Sequence, residues 1–394
     1  MRVVRLRLHA FRNHEESVIG IGDGPVVVCG PNGAGKTGVL EAIHLLATGR
    51  SFRTSDADVL VSTGAVRGVV EADVEVAGGR KVRVGAAVGA ADAGRRWMLN
   101  GTPRPRHRDV AVLRSVVFAP DDLRLAKGGP SERRDYLDEV LVSVAPRASA
   151  IISDYQRVLK QRNVLLRSIR GARGQAVPPA LDTWTQMVAD KGADLVVERS
   201  KVLARLAPHV SEAVAVLAGE DASTDYTPAW SPPGDEAVTD LSETDSVRSA
   251  LATALDARRR DEIDRGTTLV GPHRDDIALG FGGRDVRTHA SQGEQRVVSL
   301  ALRLAHLAVL EDTTDDAPVL LLDDVFSELD PQRRGRLLDR LPRDAQTILT
   351  TTASADEAGV PPEIRAALTA SGLGGTGGAQ LVRVVDGKVL GDAV

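Results

Sequence analysis

Eight residues near the N-terminus, Gly30–Thr37, have the types and spacing that a phosphate-binding loop needs. They match the pattern G-x-x-x-x-G-K-[ST], with a short apolar run before them and helical apolar spacing after them. Glycines let backbone N–H groups turn inward around a phosphate, and the N-terminus of the following helix adds a positive dipole. We expect Lys36 to reach the terminal phosphates of a nucleotide and Thr37 to offer its hydroxyl to Mg²⁺. The predicted nucleotide-binding residues of this loop are Gly30, Pro31, Asn32, Gly33, Ala34, Gly35, Lys36 and Thr37.

Two adjacent carboxylates, Asp323 and Asp324, follow the apolar run Val319–Leu322. A buried strand that ends at Asp323 places this carboxylate at the C-terminal edge of a sheet, where α/β folds bind their ligands. We therefore expect Asp323 and Thr37 to hold Mg²⁺ together. Asp324 is a candidate to polarise the attacking water, and Lys36 completes the predicted catalytic set. The alternative for Asp324 is structural, with its side chain capping the turn after the strand.

A third group of residues, Ser291–Arg296, opens an apolar helix that leads into the strand before the paired carboxylates. Ser291 and Glu294 have the spacing of a capping box, and the simplest interpretation of this segment stops there. A helix N-terminus with a serine hydroxyl and a glycine for close approach also binds a γ-phosphate. We therefore include Ser291, Gln292 and Gly293 among the predicted nucleotide-binding residues.

The three groups together resemble ABC-type ATPases, with Ser291–Arg296 in the place of the signature motif and Ser327–Asp330 directly after the paired carboxylates. In that superfamily the signature helix contacts the nucleotide of a second protomer, so that ATP lies between two subunits. The resemblance therefore implies an ATP-dependent homodimer that hydrolysis releases. Such a dimer is a switch, because ATP binds its closed state more tightly than its open state.

Further motifs resemble the RecF family of bacterial recombination proteins along the whole chain, in the order of that family. The motifs are Phe11-Arg12-Asn13, Gly30–Thr37, Ser51-Phe52-Arg53, Ala119–Leu123, Ser131–Asp138, Lys160–Asn163, Gly271–Asp276, Ser291–Arg296 and Leu320–Asp330. The resemblance implies an SMC-like ATPase head with a short helical arm, and it adds Arg12 and Asn13 to the nucleotide-binding residues. It also implies ATP and Mg²⁺ as cofactors and DNA binding without sequence specificity, at gaps or junctions of double and single strands. RecR is the implied partner in loading RecA, with roles in replication and SOS induction.

Two positions depart from the wider ABC pattern. Thr350–Thr352 stands where transporters carry a histidine, and Asp324 is one methylene shorter than the usual glutamate. A base that reaches the water less well loses part of the roughly 10²- to 10⁴-fold that general base catalysis supplies, so we expect slow hydrolysis used as a switch. Pro120–Asp122 lies in the place of the glutamine loop but contains no glutamine, so no γ-phosphate sensor is assigned there.

The elements that must position these residues divide the chain into an α/β part and a helical part. Strand-like patterns dominate 1–120, and alternating strands and helices return after about 265, ending with a strand at Gln380–Val385. Between them, two long helical patterns separated by Gly171–Pro179 predict an antiparallel hairpin. The sequence predicts an α/β fold: a P-loop ABC-type ATPase head of 1–120 and 265–394, with a mixed β-sheet and flanking helices, and an inserted short helical arm lobe of 121–264.

Composition limits the class of protein further. The 394 residues are 42% hydrophobic, include one cysteine and carry a formal net charge of −4. The single cysteine excludes a disulfide framework. No apolar run reaches membrane-spanning length, and the N-terminus lacks the apolar core of a signal peptide. We therefore expect a cytoplasmic protein with no membrane partner. Because arginines far outnumber lysines and aromatic residues make up only 3%, contacts to DNA would run through guanidinium groups and phosphates.

Three arginine clusters are candidate DNA-contacting surfaces, although each alone is typical of a solvated face. They comprise Arg104, Arg106 and Arg108; Arg157, Arg162, Arg167, Arg170 and Arg173; and Arg258–Arg260. Together, on a chain of negative net charge, they indicate a local cleft that binds the phosphate backbone with little sequence readout.

Three other functions stay open at the level of sequence. The nucleotide-binding subunit of an ABC transporter is disfavoured by the long separation of Gly30–Thr37 from Ser291 and by the missing histidine. The ATPase subunit of another DNA-processing or anti-phage complex would need added acidic metal ligands, and only Asp386 and Asp392 follow the glycine-rich segment near the C-terminus. An ATP-gated clamp with incidental hydrolysis differs from the main hypothesis in turnover rate.

Overall fold

The computed structural model describes residues 1–54, 56–89, 95–170, 177–230, 240–314, 316–325, 331–352, 362–370 and 379–390. The chain divides into two compact units, one formed by Met1–Asp122 with Leu300–Val394 and the other by Leu123–Ser299. The second boundary of this division follows Ser299, whereas the sequence analysis placed it at 264. Within the described ranges, no helix is long and apolar enough to cross a membrane.

The chain begins with strands, continues through long helices and returns to alternating strands and helices. The strands are β1 (Arg2–Phe11), β2 (His14–Gly20), β3 (Val26–Cys29), β4 (Arg67–Val76), β5 (Arg80–Gly89), β6 (Arg96–Leu99), β7 (Thr102–Arg104), β8 (Ser115–Phe118), β9 (Ala222–Thr227), β10 (Asp276–Phe281), β11 (Arg284–Asp285), β12 (Val319–Leu322), β13 (Thr347–Thr351), β14 (Gln380–Val385) and β15 (Lys388–Leu390). The helices are α1 (Lys36–Thr48), α2 (Leu123–Lys127), α3 (Pro130–Val144), α4 (Ala148–Ile169), α5 (Ala180–Ala218), α6 (Thr244–Arg265), α7 (Val286–His289), α8 (Gln292–Glu311), α9 (Pro331–Leu338) and α10 (Pro362–Ala370).

One sheet of the first unit is antiparallel, with the strand order β2-β1-β4-β5-β6-β7. Its long strands bury alternate residues: in β1, Leu6 and Leu8 are fully buried, whereas Arg5 and Arg7 are half-buried. Arg7 pairs with Asp73 of β4 at 2.9 Å. This period of two is typical of a sheet with one face on the core and the other toward water.

The other sheet of the first unit is mixed, with the order β15-β14-β3-β13-β12-β8. The strands from β14 to β8 are parallel, whereas β15 runs antiparallel to β14. Burial along the whole length of β3 and β12 explains their continuous apolar sequences. Because β3, β13 and β12 are parallel neighbours, their C-terminal residues Cys29, Thr351 and Leu322 lie at one edge of the sheet. Helix α1 contacts strands of both sheets.

The second unit combines helices with an antiparallel sheet of order β11-β10-β9. Helices α4 and α5 form an antiparallel hairpin, as the sequence predicts: Arg162 contacts Thr185, and Tyr155, seven residues earlier, lies beside Gly192. Strand β9 falls in a region where the sequence predicts helices. Its residues alternate between half-buried and exposed without the apolar pattern of a typical strand, and pairing with β10 places residues beyond 264 in this unit.

A buried ion pair connects the helices of the second unit. The guanidinium of Arg162 is fully buried and donates to the Glu262 carboxylate at 2.7 Å, to the Thr268 hydroxyl at 2.9 Å and to the Thr185 hydroxyl at 3.2 Å. The second oxygen of Glu262 accepts the Leu269 N–H at 2.7 Å. Because each charge is paired and hydrogen-bonded, the network offsets the cost of removing both from water.

The turn Gly271–Asp276 is held from two other elements of the second unit. Arg199 of α5 donates to the carbonyl of Pro272 at 2.8 Å. Tyr155 of α4 places its hydroxyl 2.6 Å from Nδ1 of His273. Burial lowers the pKa of His273 to about 4, so its ring is neutral near pH 7. Because Nε2 lies 3.2 Å from the Thr268 carbonyl, which only accepts, the ring proton is on Nε2 and Nδ1 accepts from the tyrosine hydroxyl. Helices α4 and α5 therefore both hold this turn in place.

Arg162→Met tests the energetic role of the buried pair, because it leaves the Glu262 carboxylate buried without its cation. We expect the free energy of unfolding, measured by urea denaturation, to fall by about 3–5 kcal/mol. The control is Arg157→Met on the same helix, since Arg157 is 71% exposed and pairs with Asp154, and a change below about 1 kcal/mol is expected there. Equal losses in the two variants would contradict this role for Arg162.

Candidate nucleotide-binding site

The loop between β3 and α1 is folded around the side chain of Lys36. Its ammonium donates to the carbonyls of Gly30 and Pro31, each at 2.9 Å. Burial lowers the pKa of Lys36, while the negative charges of Asp324 and Asp323 oppose this shift. A cation held at the start of α1 adds to the helix dipole, so the loop presents positive potential to an anion.

Asp323 lies across from this loop at the end of β12. One oxygen of its carboxylate accepts the hydroxyl of Thr37 at 2.9 Å and the hydroxyl of Thr350 at 2.8 Å. Burial raises the pKa of Asp323, and the two hydroxyl donors oppose the rise. The structure therefore brings together the two predicted Mg²⁺ ligands, Thr37 and Asp323, from opposite ends of the sequence.

This donor set fits Mg²⁺. A hydroxyl and a carboxylate are both hard oxygen donors, and Mg²⁺ is usually bound by one or two carboxylates together with substrate phosphates and water. The described residues contain no cluster of three or more His, Cys, Asp or Glu side chains able to hold a metal by themselves.

Asp324 is held in an unusual backbone conformation beside Asp323. Its φ is 50°, in the left-handed region that aspartate tolerates better than most residues. Its N–H donates to the hydroxyl of Thr350 at 2.9 Å, the same hydroxyl that donates to Asp323. Thr350 therefore fixes both consecutive aspartates. The sequence analysis noted that threonine stands here in place of the usual histidine, but it did not predict that Thr350 bridges the two aspartates.

A cavity of about 670 Å³ contains most of these groups. The predicted residues that line it are Arg12, Asn13, Asn32, Gly33, Gly35, Lys36, Thr37, Asp323 and Asp324. Gly30, Pro31 and Ala34 belong to the loop but are not among the lining residues. At Gly30 a Cβ would lie 2.0 Å from the carbonyl oxygen of Val384, so this position packs against β14 and admits only glycine.

Arg12 and Asn13 line the cavity in different ways. Arg12 makes two hydrogen bonds of 2.6 and 2.7 Å to the buried carboxylate of Glu41, and a third of 3.0 Å to the Val59 carbonyl. Its positive charge is therefore already paired. Asn13 donates from its amide to the carbonyl of Gly33 at 3.0 Å and so contacts the phosphate-binding loop directly.

Some lining residues were not predicted to bind the nucleotide. They are Glu15, Gly38, Arg53, Val59, Val61, Ser62, Thr63, Thr350 and Thr352. Arg53 is the most notable chemically, because its side chain is 46% exposed and its guanidinium lies 3.9 Å from the Glu41 carboxylate. It belongs to the motif Ser51-Phe52-Arg53, so the sequence carried a signal for this residue although no binding role was assigned to it.

Ser291, Gln292 and Gly293 belong to the second unit and do not line the cavity. The capping box predicted for this helix start is present: the Ser291 N–H donates to Glu294 at 2.6 Å, and the Glu294 N–H donates to the Ser291 hydroxyl at 3.3 Å. Ser291 and Gln292 are exposed. Residues 327–330, the other part of the ABC resemblance, lie outside the described residues.

The Pro120–Asp122 turn, where no γ-phosphate sensor was assigned, is held by the carboxylate of Asp122. One carboxylate oxygen accepts two hydrogen bonds from the buried guanidinium of Arg303, at 2.7 and 2.9 Å. The other accepts the Ala119 N–H at 2.8 Å. The turn thereby connects the end of β8 to α8.

The arginines that were predicted to contact DNA differ in exposure and in whether a carboxylate already pairs with them. The prediction was wrong for Arg162, because its guanidinium is buried in the ion pair with Glu262. Four more of these arginines pair with nearby aspartates: Arg106 with Asp109, Arg157 with Asp154, Arg258 with Asp261 and Arg259 with Asp182. Arg104, Arg167, Arg170 and Arg260 are exposed, and Arg173 lies outside the described residues.

A family model described as the RecF/RecN/SMC N terminal domain matches residues 2–358. The chain is 41% identical to the DNA replication and repair protein RecF of Frankia alni, over 92% of this chain and 96% of that relative. It is 42% identical to the protein of the same name from Kineococcus radiotolerans, over 93% of this chain and 95% of that relative. A solved structure described as the recombination mediator protein RecF-ATP in the RecFOR pathway is 27% identical, with a TM-score of 0.84 over 98% of this chain and 96% of that chain.

These similarities extend over nearly the whole length of this chain and of its relatives. They confirm the predicted fold class, an α/β P-loop ABC-type ATPase head with a mixed sheet and flanking helices. The family resemblance carried by the sequence motifs is confirmed as well, and the chain belongs to the RecF family of DNA replication and repair proteins.

Proposed function

We propose that this protein binds DNA in an ATP-dependent manner during recombinational gap repair, and that it hydrolyses ATP slowly. The observation that carries the proposal is the contact of Thr37 with Asp323 beside Lys36, in one cavity at the edge of the parallel sheet. A solved relative that matches almost all of this chain is described as RecF-ATP, which supports ATP as the nucleotide here.

The residues of the first unit have distinct roles in this proposal. The loop N–H groups and the Lys36 ammonium bind the phosphates, and Asn13 holds the loop through Gly33. Thr37 and Asp323 are the residues that would hold Mg²⁺. When bound there, Mg²⁺ would neutralise charge on the phosphate oxygens and orient them.

We expect slow hydrolysis because the side chains that could polarise the attacking water differ from those of the wider ABC pattern. Asp324 lines the cavity and is the proposed polarising group, with a shorter side chain than the glutamate of the wider ABC pattern. Thr350 hydrogen-bonds to both aspartates at the position where a histidine would otherwise stand. A less well placed base lowers the rate of water attack, which suits a nucleotide whose main role is to stabilise one state of the protein.

A second copy of the chain completes the site in this proposal. The exposed start of α8, with Ser291 and Gln292, presents a serine hydroxyl and backbone N–H groups at a helix N-terminus. We infer that this surface contacts the γ-phosphate bound by the partner protomer. ATP would then stabilise the dimer, and hydrolysis would weaken it.

DNA binding is assigned to exposed arginines of the second unit. Arg167 lies in the last turn of α4, Arg170 directly follows that helix, and Arg265 is the last residue of α6. The two helix ends lie close together, because a Cβ at Gly266 would lie 3.1 Å from the Arg170 side chain. Such a surface binds phosphates with strong salt dependence and little sequence readout. The family resemblance further suggests gapped or junction DNA as the target, RecR and RecA as partners, roles in replication and SOS induction, and a cytoplasmic location.

Lys36→Met tests the proposed link between ATP and DNA binding. Losing a charged donor worth about 2 kcal/mol should weaken ATP binding at least about tenfold and abolish the gain in DNA affinity that ATP gives the wild type. The measurement is fluorescence anisotropy of a labelled gapped duplex at fixed salt, with and without ATP. Lys81→Met, on an exposed strand position of the first unit, is the control and should respond to ATP like the wild type. The proposal fails if the two variants behave alike.

Ser291→Arg tests the proposed dimer interface. An arginine at this helix N-terminus adds bulk and a positive charge that the helix dipole disfavours, so the variant should stay monomeric with a non-hydrolysable ATP analogue. Sedimentation velocity should show the wild type and the control Ser246→Arg as dimers under the same conditions. Dimerisation of Ser291→Arg to the wild-type extent would exclude this surface from the interface.

A further inference from the structure

The hairpin of β14 and β15 packs against the phosphate-binding loop. Its two-residue turn, Asp386–Gly387, connects the paired residues Val385 and Lys388. Both turn residues have positive φ, 46° and 73°, as a type I′ hairpin turn requires. The sequence analysis predicted β14 but neither this turn nor β15, although an Asp-Gly pair between apolar strands is a recognised hairpin signal.

The turn contacts the loop and the start of β2 through backbone atoms. The Gly387 N–H donates to the carbonyl of Ala34 at 2.8 Å. A Cβ at Gly387 would lie 1.9 Å from the carbonyl oxygen of Asn13, so the hairpin approaches β2 as closely as a glycine allows. The turn and the Lys36 ammonium bond to different carbonyls of the loop, because Lys36 donates to Gly30 and Pro31.

Two buried side chains of β2 form a second connection between the hairpin turn and the loop. Nε2 of His14 lies 3.0 Å from the carbonyl oxygen of Gly35, and Nδ1 lies 3.0 Å from the hydroxyl of Ser17. That hydroxyl donates to the carbonyl of Gly387 at 3.1 Å. The result is a path of polar contacts from Gly35 through an imidazole and a hydroxyl to Gly387.

Both ends of this path are carbonyl oxygens, which only accept hydrogen bonds. A neutral imidazole and a hydroxyl supply two hydrogens for the three contacts. Burial lowers the pKa of His14, so the neutral ring is the favoured form, while hydrogen bonds to the Gly35 and Gly387 backbone oppose the shift. When Nε2–H donates to Gly35 and the Ser17 hydroxyl donates to Gly387, no hydrogen is left for the contact between Nδ1 and that hydroxyl. Two of the three contacts are therefore hydrogen bonds at any one time.

The physical reason for such a connection lies in the geometry of a phosphate-binding loop. When the N–H groups of consecutive peptides turn inward to a phosphate, the attached carbonyls turn outward and need hydrogen-bond partners elsewhere. Gly387 supplies a partner for Ala34, and His14 supplies one for Gly35, whose carbonyl also accepts the Val39 N–H at 3.3 Å. The outward side of the loop is thereby bonded by residues outside the G-x-x-x-x-G-K-[ST] motif.

We propose that His14 and Ser17 are positioning residues of the nucleotide site, which hold the phosphate-binding loop in its binding conformation by coupling it to the β14–β15 turn. This inference rests on the proposed binding of ATP to the loop. A preorganised loop loses less conformational entropy when the phosphate binds, so weakening the path should lower nucleotide affinity rather than only the stability of the fold.

The test is a double-mutant cycle on the full chain, with the dissociation constant of a fluorescent ATP analogue and the apo melting temperature as the two measurements. Ser17→Ala should weaken binding about threefold or more and His14→Leu should weaken it further, since each removes a link in the path. His14→Gln, which keeps an N–H donor, should recover part of the affinity. The double variant Ser17→Ala with His14→Leu should bind no more weakly than His14→Leu alone.

The matched control is Ser115→Ala, which removes the hydroxyl from another buried serine–histidine pair of the first unit, with Nδ1 of His44 at 3.1 Å. It should lower the melting temperature about as much as Ser17→Ala while leaving nucleotide affinity unchanged. Three results would each overturn the inference while the proposed function stands. They are wild-type nucleotide affinity in both Ser17→Ala and His14→Leu, equal weakening of binding by Ser115→Ala, and additive losses of affinity in the double variant. If the wild type itself does not bind the analogue, the proposed function fails first.

Discussion

The hydrogen bond from Thr37 to Asp323 joins two residues 286 positions apart, and the candidate site depends on the constraint that brings them together. That constraint is the parallel arrangement of β3, β13 and β12, whose carboxyl ends meet at one edge of a sheet. The strand between them contributes Thr350, which bonds to Asp323 and to the backbone of Asp324. A shift in the register of any one of these strands would separate the proposed phosphate-binding and metal-binding groups.

Much of this site could be predicted because its chemistry is local in sequence. The phosphate-binding loop is continuous and flanked by an apolar strand and helix, and Asp323 directly follows a fully buried strand. Short patterns of this kind restrict both residue type and backbone conformation, so they identify a role without knowledge of the fold. The capping box at Ser291 and Glu294 was predictable for the same reason.

Contacts between distant segments could not be predicted in this way. Arg162 lies on an amphipathic helix among other arginines, and its pattern does not distinguish a DNA contact from the buried partner of Glu262, 100 residues later. Strand β9 is polar and half-exposed, so only its pairing with β10 defines it as a strand. The hydrogen bond of Gly387 to Ala34 depends on where the last hairpin packs, which no local pattern encodes.

We propose that Thr37 and Asp323 bind Mg²⁺ together with ATP. Isothermal titration calorimetry of ATP into the wild type and into Asp323→Asn, each with Mg²⁺ and with EDTA, tests it most directly. We expect one ATP per chain, tighter binding by the wild type in Mg²⁺ than in EDTA, and loss of that difference in Asp323→Asn. An equal benefit from Mg²⁺ in both proteins, or no ATP binding by the wild type, would contradict it.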